Sequence, residues 1–381
     1  MALPGFHRLS HGHQDLILAF DYNLYGNRVV TASSDHRLRV WTRNDESGAW
    51  TVTDTWTAHD AEVIDVKWNG PFVGEHLGTI GEDGFVRVWQ EDVNEAIGSG
   101  RRFKKIFERP SDTGVPYMSL DFKNIGTETF LALATRDGYL TILEPEDYDD
   151  LSVWRIFWAE QLCKTPPRTE ETAFRLSWHK ERLPAWPAVL AGLDRKSLSL
   201  AVAIGDEVRV FRTDRERRLY TAATLEGATG LVRDVAWADG SMRGFDLIAT
   251  ASKDGYIRVY ELHTPGASSL STSIQSQISN GDSSQVNGHS TRPVRSGIGA
   301  GLANSNRGRR DDNLVAAGTV KQESKLIATL EAHEGVPWRV GWSQVTDIVF
   351  TSGDNGTVQL WKRAVDGKWL DAAEIDATKD S

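Results

Sequence analysis

His59, Thr79 and Asp83 are the residues whose types could do chemistry together, because an imidazole set between a carboxylate and a hydroxyl can activate a nucleophile. The trio recurs, as His13, Thr31 and Asp35 near the start of the chain and as His333, Thr351 and Asn355 near its end. Each is closed by a tryptophan, Trp89, Trp41 and Trp361 respectively. An active site is not copied along a chain, whereas a buried network that shapes a repeated unit is. The recurrence therefore assigns these residues to structural tetrads, and we expect no catalytic residue and no enzyme. His7, His11 and His13 are spaced closely enough for a metal, but His13 is claimed by its tetrad and nothing nearby completes a ligand set, so neither metal nor cofactor is expected. The basic run Arg101 to Lys105 and the RGRR stretch at 307–310 read equally well as anionic-partner patches or as solvated loops. No phosphate-cradling Gly-rich loop and no nucleophile elbow stands out.

The elements that position the tetrads are visible as a repeat. TASSDHRLRVW, TIGEDGFVRVW, LATRDGYLTIL, AVAIGDEVRVF, TASKDGYIRVY and TSGDNGTVQLW are six copies of strand, polar turn and strand, ending at Trp41, Trp89, Leu143, Phe211, Tyr260 and Trp361. In five of them an Asp or Asn lies six residues before the terminal position, at Asp35, Asp83, Asp137, Asp254 and Asn355. The fourth has Gly205 there, with Asp206 next to it. A second signature precedes the copies: His13, His59 and His333 are followed nine residues later by Tyr22, Trp68 and Trp342. The apolar alternation between them, as in EVIDVKW, is that of a half-buried strand. Each unit is thus four short strands that cannot bury both faces alone, which predicts radial packing as blades of a β-propeller. Terminal positions 48, 54, 68 and 49 residues apart from Trp41 to Tyr260 leave no room for a seventh copy, so six blades are expected, the third and fourth with long loops.

The last gap, 101 residues, holds a segment of other composition. Residues 263–324 contain 12 Ser, 8 Gly and 5 Asn among 62, with no aromatic other than His, too little apolar surface to offset ordering entropy. We read it as a disordered insertion between the third and outer strands of blade five. The domain reading is a leader, 1–12, followed by one propeller domain, 13–381.

Composition narrows the function classes. With 43 Lys and Arg against 53 Asp and Glu, the net charge of -10 opposes a phosphate backbone, and no direct nucleic-acid binding is expected. No stretch of about 20 apolar residues is present, so no membrane insertion is expected. One cysteine, Cys163, and a start without a continuous apolar run lead us to expect an intracellular protein.

The two ends argue against a ring locked by a shared strand. Blade one starts with its innermost strand at DLILAFDY, and the sequence after Trp361 runs through GKWLDAAEI, enough for blade six to supply its own outer strand. The seam between them would then expose strand edges and apolar face, which invites strand addition by a partner.

The segment from HQDLILAFDYNLYGNRVVTASSDHRLRVW through ESGAW and TWTAH to DVKWNGPFVGEHLGTIGEDGFVRVW resembles the Seh-one family, the Sec-thirteen-like WD-repeat nucleoporins of the Y-shaped nuclear pore scaffold. The resemblance runs over about 319 residues, to the block AHEGVPWRVGW to SGDNGTVQLW. The insertion and the residues at Leu143, Phe211 and Tyr260 depart from the pattern. It implies an open six-bladed WD-repeat propeller, all-β, completed in trans by a blade from an α-helical solenoid nucleoporin of the Nup-eighty-five type, alongside other Y-complex members. It further implies the nuclear envelope and its pores as the location, a role in mRNA and protein transport, and a second setting in a vacuole- or lysosome-associated complex upstream of TOR signalling. On that analogy the receiving surface comprises Leu9, Leu16, Ile17, Leu18, Trp338, Val340 and Trp369. The competing readings are a COPII vesicle coat propeller, which the long third and fourth units disfavour, and a WD-repeat substrate receptor of a ubiquitin ligase, which would need a closed ring.

Overall fold

The computed structural model describes residues 10–240, 244–265, 318–331, 335–343 and 347–376. These form six antiparallel four-stranded sheets, each running in chain order from an innermost to an outermost strand. Blade one is β1 Ile17–Tyr22, β2 Arg28–Ser33, β3 Arg37–Arg43 and β4 Trp50–Thr57; blade two is β5 Val63–Trp68, β6 His76–Gly81, β7 Phe85–Glu91 and β8 Phe103–Pro110. Blade three comprises β9 Tyr117–Ile125, β10 Glu128–Thr135, β11 Tyr139–Asp147 and β12 Asp150–Gln161. Blade four comprises β13 Leu176–Trp178, β14 Ser199–Ile204, β15 Glu207–Thr213 and β16 Leu219–Leu225, with helix α1 Trp186–Leu190 between its first two strands. Blade five is β17 Val232–Trp237, β18 Asp246–Ser252, β19 Tyr256–His263 and β20 Glu323–Glu331; blade six is β21 Pro337–Trp342, β22 Ile348–Gly353, β23 Thr357–Arg363 and β24 Trp369–Asp376. The six expected blades are present in a ring. The extra length of the third unit lies in its strands, β12 above all, and that of the fourth in the loops around the three-residue β13.

The turn between the second and third strands needs a left-handed residue after the Asp or Asn, and Gly84, Gly138, Gly255 and Gly356 take φ of 80°, 81°, 90° and 76° there. Blade one places His36 in that position at φ 67°, a conformation that costs a non-glycine residue about 1 kcal/mol.

The core is a series of inter-blade layers. Ala19, Val30, Ala32, Leu38 and Val40 of blade one close on Val63, Val66, Trp68 and Leu77 of blade two, and comparable clusters fill the successive junctions round to blade six. Polar links stitch neighbouring innermost strands. The Trp68 N–H donates to Asp21 (2.8 Å), that of Trp178 to Asp121 (2.9 Å), that of Trp237 to Ser177 (3.1 Å) and that of Val340 to Asp234 (3.0 Å). Between blades two and three the Gly70 N–H donates to the Asn124 Oδ1 (3.2 Å).

Of the insertion, residues 266–317 lie outside the described residues, as do 1–9 of the leader. The chain returns along blade four before entering β20: Tyr220 Oη and Val320 exchange bonds (2.8 and 3.1 Å), and the Gln322 N–H donates to the Ala222 carbonyl (2.9 Å). The Gln322 side chain accepts from Arg212 Nε (2.8 Å), inside a buried network where Arg212 also pairs with Asp246 (2.8 Å).

Candidate interface at the seam between blades one and six

The tetrads come first, because they fix the blades that border the seam. In blade two the Trp89 indole N–H donates to Thr79 Oγ1 (3.0 Å), Thr79 Oγ1 meets His59 Nε2 (2.8 Å), and His59 Nδ1 meets Asp83 (3.0 and 3.1 Å). The network is satisfied when neutral His59 accepts from the Thr79 hydroxyl and donates to the carboxylate. Burial holds the His59 pKa below its ordinary value, against the pull of Asp83. Burial also pushes Asp83 upward, but His59 and the Asp60 and Phe85 amides outweigh it and keep the carboxyl below the usual range. Thr79 is fully buried, so its hydroxyl meets no substrate. Blade one repeats the relay, from Trp41 to Thr31 (3.4 Å), to His13 (2.9 Å), to Asp35 (3.0 and 3.2 Å). In blade six His333 lies outside the described residues; Thr351 is buried, Asn355 accepts from the Thr357 N–H (3.2 Å), and the Trp361 indole N–H has no partner among the described residues.

At the seam the stitching stops. Among the described residues, the one polar bond between the innermost strands of blades six and one runs from Arg339 Nη2 to the Leu18 carbonyl (3.3 Å). Cross-strand register separates the two faces of each bordering sheet. In blade one, Ala19 and Ala32 share the face packed on blade two, while Phe20 and Tyr22 point the other way and are 58 % and 53 % exposed. Tyr22 stands edge-on to Phe20 (6.2 Å) and to Trp50 (6.3 Å). In blade six, Val340, Trp342, Val349, Trp361 and Trp369 pack against blade five. The register Gly341, Phe350, Leu360 and Ala373 lines the opposite face. Phe350 lies over Gly341, where a Cβ would stand 2.3 Å from the ring, and remains 41 % exposed; Leu370, on the same face, is also exposed. Two apolar faces, one per sheet, therefore border the seam without covering each other.

Of the residues read from the sequence as the receiving surface, Leu16 and Ile17 are exposed at the entry to β1 and Leu18 is half-buried beside them. Leu9 lies outside the described residues. Trp338 is exposed but sits under Arg233 of blade five (3.8 Å to the ring centre). Val340 and Trp369 are corrected: both face blade five, Val340 buried and Trp369 edge-on to Trp342 (5.7 Å). The reason is the pleat, since one residue's shift along a strand moves a side chain to the other face. Sequence reasoning missed Phe20, Tyr22, Phe350, Leu360 and Leu370. The signal for the first two was present in ILAFDY, which carries apolar residues at both parities, as a strand does when both its faces await cover.

Of the basic run, Arg102 is consumed by Glu91 (2.6 Å), Lys104 by Asp92 (2.7 Å) and Lys105 by Glu108 (2.5 Å). Among the described residues no three His, Cys, Asp or Glu side chains gather as a metal site, and no helix is long and apolar enough to cross a membrane.

Six four-stranded blades with repeated Trp, Thr, His and Asp relays define a WD-repeat β-propeller, and the family model described as "WD domain, G-beta repeat" matches residues 6–42, 220–261 and 324–362. Over almost its entire length the chain is similar to proteins named Nucleoporin SEH1. It is 27 % identical to that of Saccharomyces cerevisiae, covering 92 % of this chain and 93 % of the relative. It is 26 % identical to that of Chaetomium thermophilum (97 % and 94 %) and 28 % identical to that of Homo sapiens (94 % and 84 %). These homologues support a nucleoporin WD-repeat scaffold.

Proposed function

We propose that the protein is a scaffold of the outer-ring Y complex of the nuclear pore and that its seam accepts one blade from an α-helical solenoid nucleoporin. The observation that carries this reading is the pair of faces left without cover, Phe20 and Tyr22 on blade one and Phe350 and half-buried Leu360 on blade six, at a junction where, among the described residues, the innermost strands share only the bond from Arg339 to the Leu18 carbonyl. A sheet sliding between them would bury the remaining half of these side chains, at about 1 kcal/mol each. It would also cover the free edges without any chemistry. In this reading the ring is open when alone, and the same acceptor serves a second solenoid in a TOR-regulating complex at the vacuole or lysosome.

Co-expression with a solenoid nucleoporin of that class, followed by size-exclusion chromatography, tests the reading. The parent chain is expected to co-elute with the solenoid, and a Phe20→Asp, Phe350→Asp variant of unchanged melting temperature is expected to elute alone. A stable monomer that ignores the solenoid would overturn the reading and move the peptide-receptor alternative to first place. Co-elution that survives the variant would show that the contact lies elsewhere.

A further inference from the structure

Away from the seam, a groove of about 610 Å³ opens at the rim between the outer strands of blades one and two. One wall is strand β4, the outermost of its sheet. Thr55, Trp56 and Thr57 all line the groove, and since successive side chains point to opposite faces, three in a row meet a groove only along the hydrogen-bonding edge. The loop between β7 and β8 already uses the neighbouring part of that edge. Its Gly98 N–H donates to the Thr53 carbonyl (2.8 Å), and its Gly100 and Arg102 amides cap the buried Asp54 carboxylate (2.7 and 2.9 Å). Past Gly100 the loop turns away into β8; the Thr55 N–H is held by the Asp54 carboxylate (3.0 Å), so the edge left to an added strand is the Thr55 carbonyl and, at the two-residue spacing of strand bonding, Thr57. The floor is aromatic: Trp56 stacks on Phe103 (4.6 Å) and stands edge-on to Trp89 (5.7 Å), and its buried indole N–H has no acceptor among the described residues.

The rim is basic although the chain carries a net charge of -10. Lys104 is paired with Asp92 (2.7 Å), and Glu95 is the acidic side chain of the lining. Arg101, 77 % exposed, reaches Glu95 only at 4.0 Å, and among the described residues Arg37 has no carboxylate within 4.0 Å. Two guanidinium groups therefore stand beside a strand edge that is free at the Thr55 carbonyl and at Thr57. Guanidinium forks match carboxylates, while the overall negative charge opposes a long phosphate backbone.

We propose that this groove binds an extended acidic peptide segment of a partner protein, added as a fifth strand along Thr55–Thr57, with carboxylates on Arg37 and Arg101 and an intervening apolar side chain over the aromatic floor. The site is separate from the seam, which uses the opposite face of blade one.

Fluorescence anisotropy on the purified full chain tests it, with a fluorescein-labelled, acetylated pentapeptide of sequence Glu-Val-Asp-Val-Glu as the probe. Saturable binding is expected, weakening as salt is raised. At least tenfold weaker binding is expected for the Gln-Val-Asn-Val-Gln counterpart, for a probe N-methylated at alternate amides, and for an Arg37→Glu, Arg101→Glu variant. A Phe20→Asp variant, changed only at the seam, is expected to bind as the parent does. Absence of saturable binding, equal binding of the neutral or N-methylated peptide, or full affinity in a folded Arg37→Glu, Arg101→Glu variant would overturn the proposal; the two control peptides keep the test independent of how that variant folds.

Discussion

Replacing Asp83 by Ala removes the acceptor on which the blade-two relay ends. Four donors converge on this carboxylate: His59 Nδ1 (3.0 Å), the amides of Asp60 (3.2 Å) and Phe85 (3.2 Å), and Arg87 Nη1 (3.0 Å). The Asp60 amide is exposed and the Phe85 amide only part-buried, so both can turn to water. Arg87 keeps the Ala58 carbonyl (2.7 Å) and Glu108 (2.6 Å). His59, only 1 % exposed, has no substitute. One buried donor left unsatisfied costs about 1–3 kcal/mol. For roughly 300 ordered residues at about 2.1 cal/mol/K each, the unfolding entropy near Tm is about 0.6 kcal/mol/K, so 2 kcal/mol corresponds to a fall of about 3 °C. Differential scanning calorimetry of the purified chain measures this shift. Native-state hydrogen exchange should in addition localise the loss of protection to β5 through β8 and to the blade-one face packed against them. A variant that melts within 0.5 °C of the parent with unchanged exchange in blade two would refute the tetrad as a stabilising network. A loss of more than about 5 kcal/mol would show that Arg87 is stranded as well.

The pH dependence follows from the same groups. His13 and His59 are held below the ordinary histidine range by burial. The stability tied to their neutral forms is therefore complete above about pH 6.5 and declines as the unfolded chain takes up protons below it. Asp35 and Asp83, whose pKa values are lowered in the fold, add a further loss as pH falls through about 4. Melting temperature should fall between pH 7 and pH 5, and a flat profile across that interval would contradict the assignment of neutral histidines. Asp246, buried with Arg212 (2.8 Å) and His179 (3.4 Å), is the anchor of the network that holds Gln322. Asp246→Asn strands the fully buried Arg212 charge and should cost about 3–5 kcal/mol in urea unfolding, a value below 1 kcal/mol being incompatible with that ion pair.

Strands, turns and blade number were legible because each is written in local spacing. An Asp or Asn six residues before a large terminal side chain, followed by a residue able to take positive φ, prescribes the same reversal wherever it occurs, and the structure places Gly84, Gly138, Gly255, Gly356 and even His36 in it. The tetrads around His13 and His59 were legible for a related reason, since their members stand at fixed separations within a single blade. Which face of a border strand looks into the seam is not local information. It depends on the bulge between Ile17 and Ala19 and on the offset between β21 and β22, each able to exchange the two parities. Val340 therefore turns toward blade five, while Phe20, Tyr22 and Phe350 take the free faces, and the irregularity at Leu360/Trp361 in the β23–β24 pairing sets Trp369 on the blade-five side in the same way. The groove beside β4 depends in the same way on distant residues, because Gly98 and Arg101 reach the Thr53–Thr57 edge only once blade two has packed on blade one. The sequence by itself determined the repeat, its turns and its internal hydrogen-bond relays, through interactions that close within about forty residues. Tertiary structure alone decided which apolar faces stay uncovered, because exposure is settled by what the neighbouring blade buries.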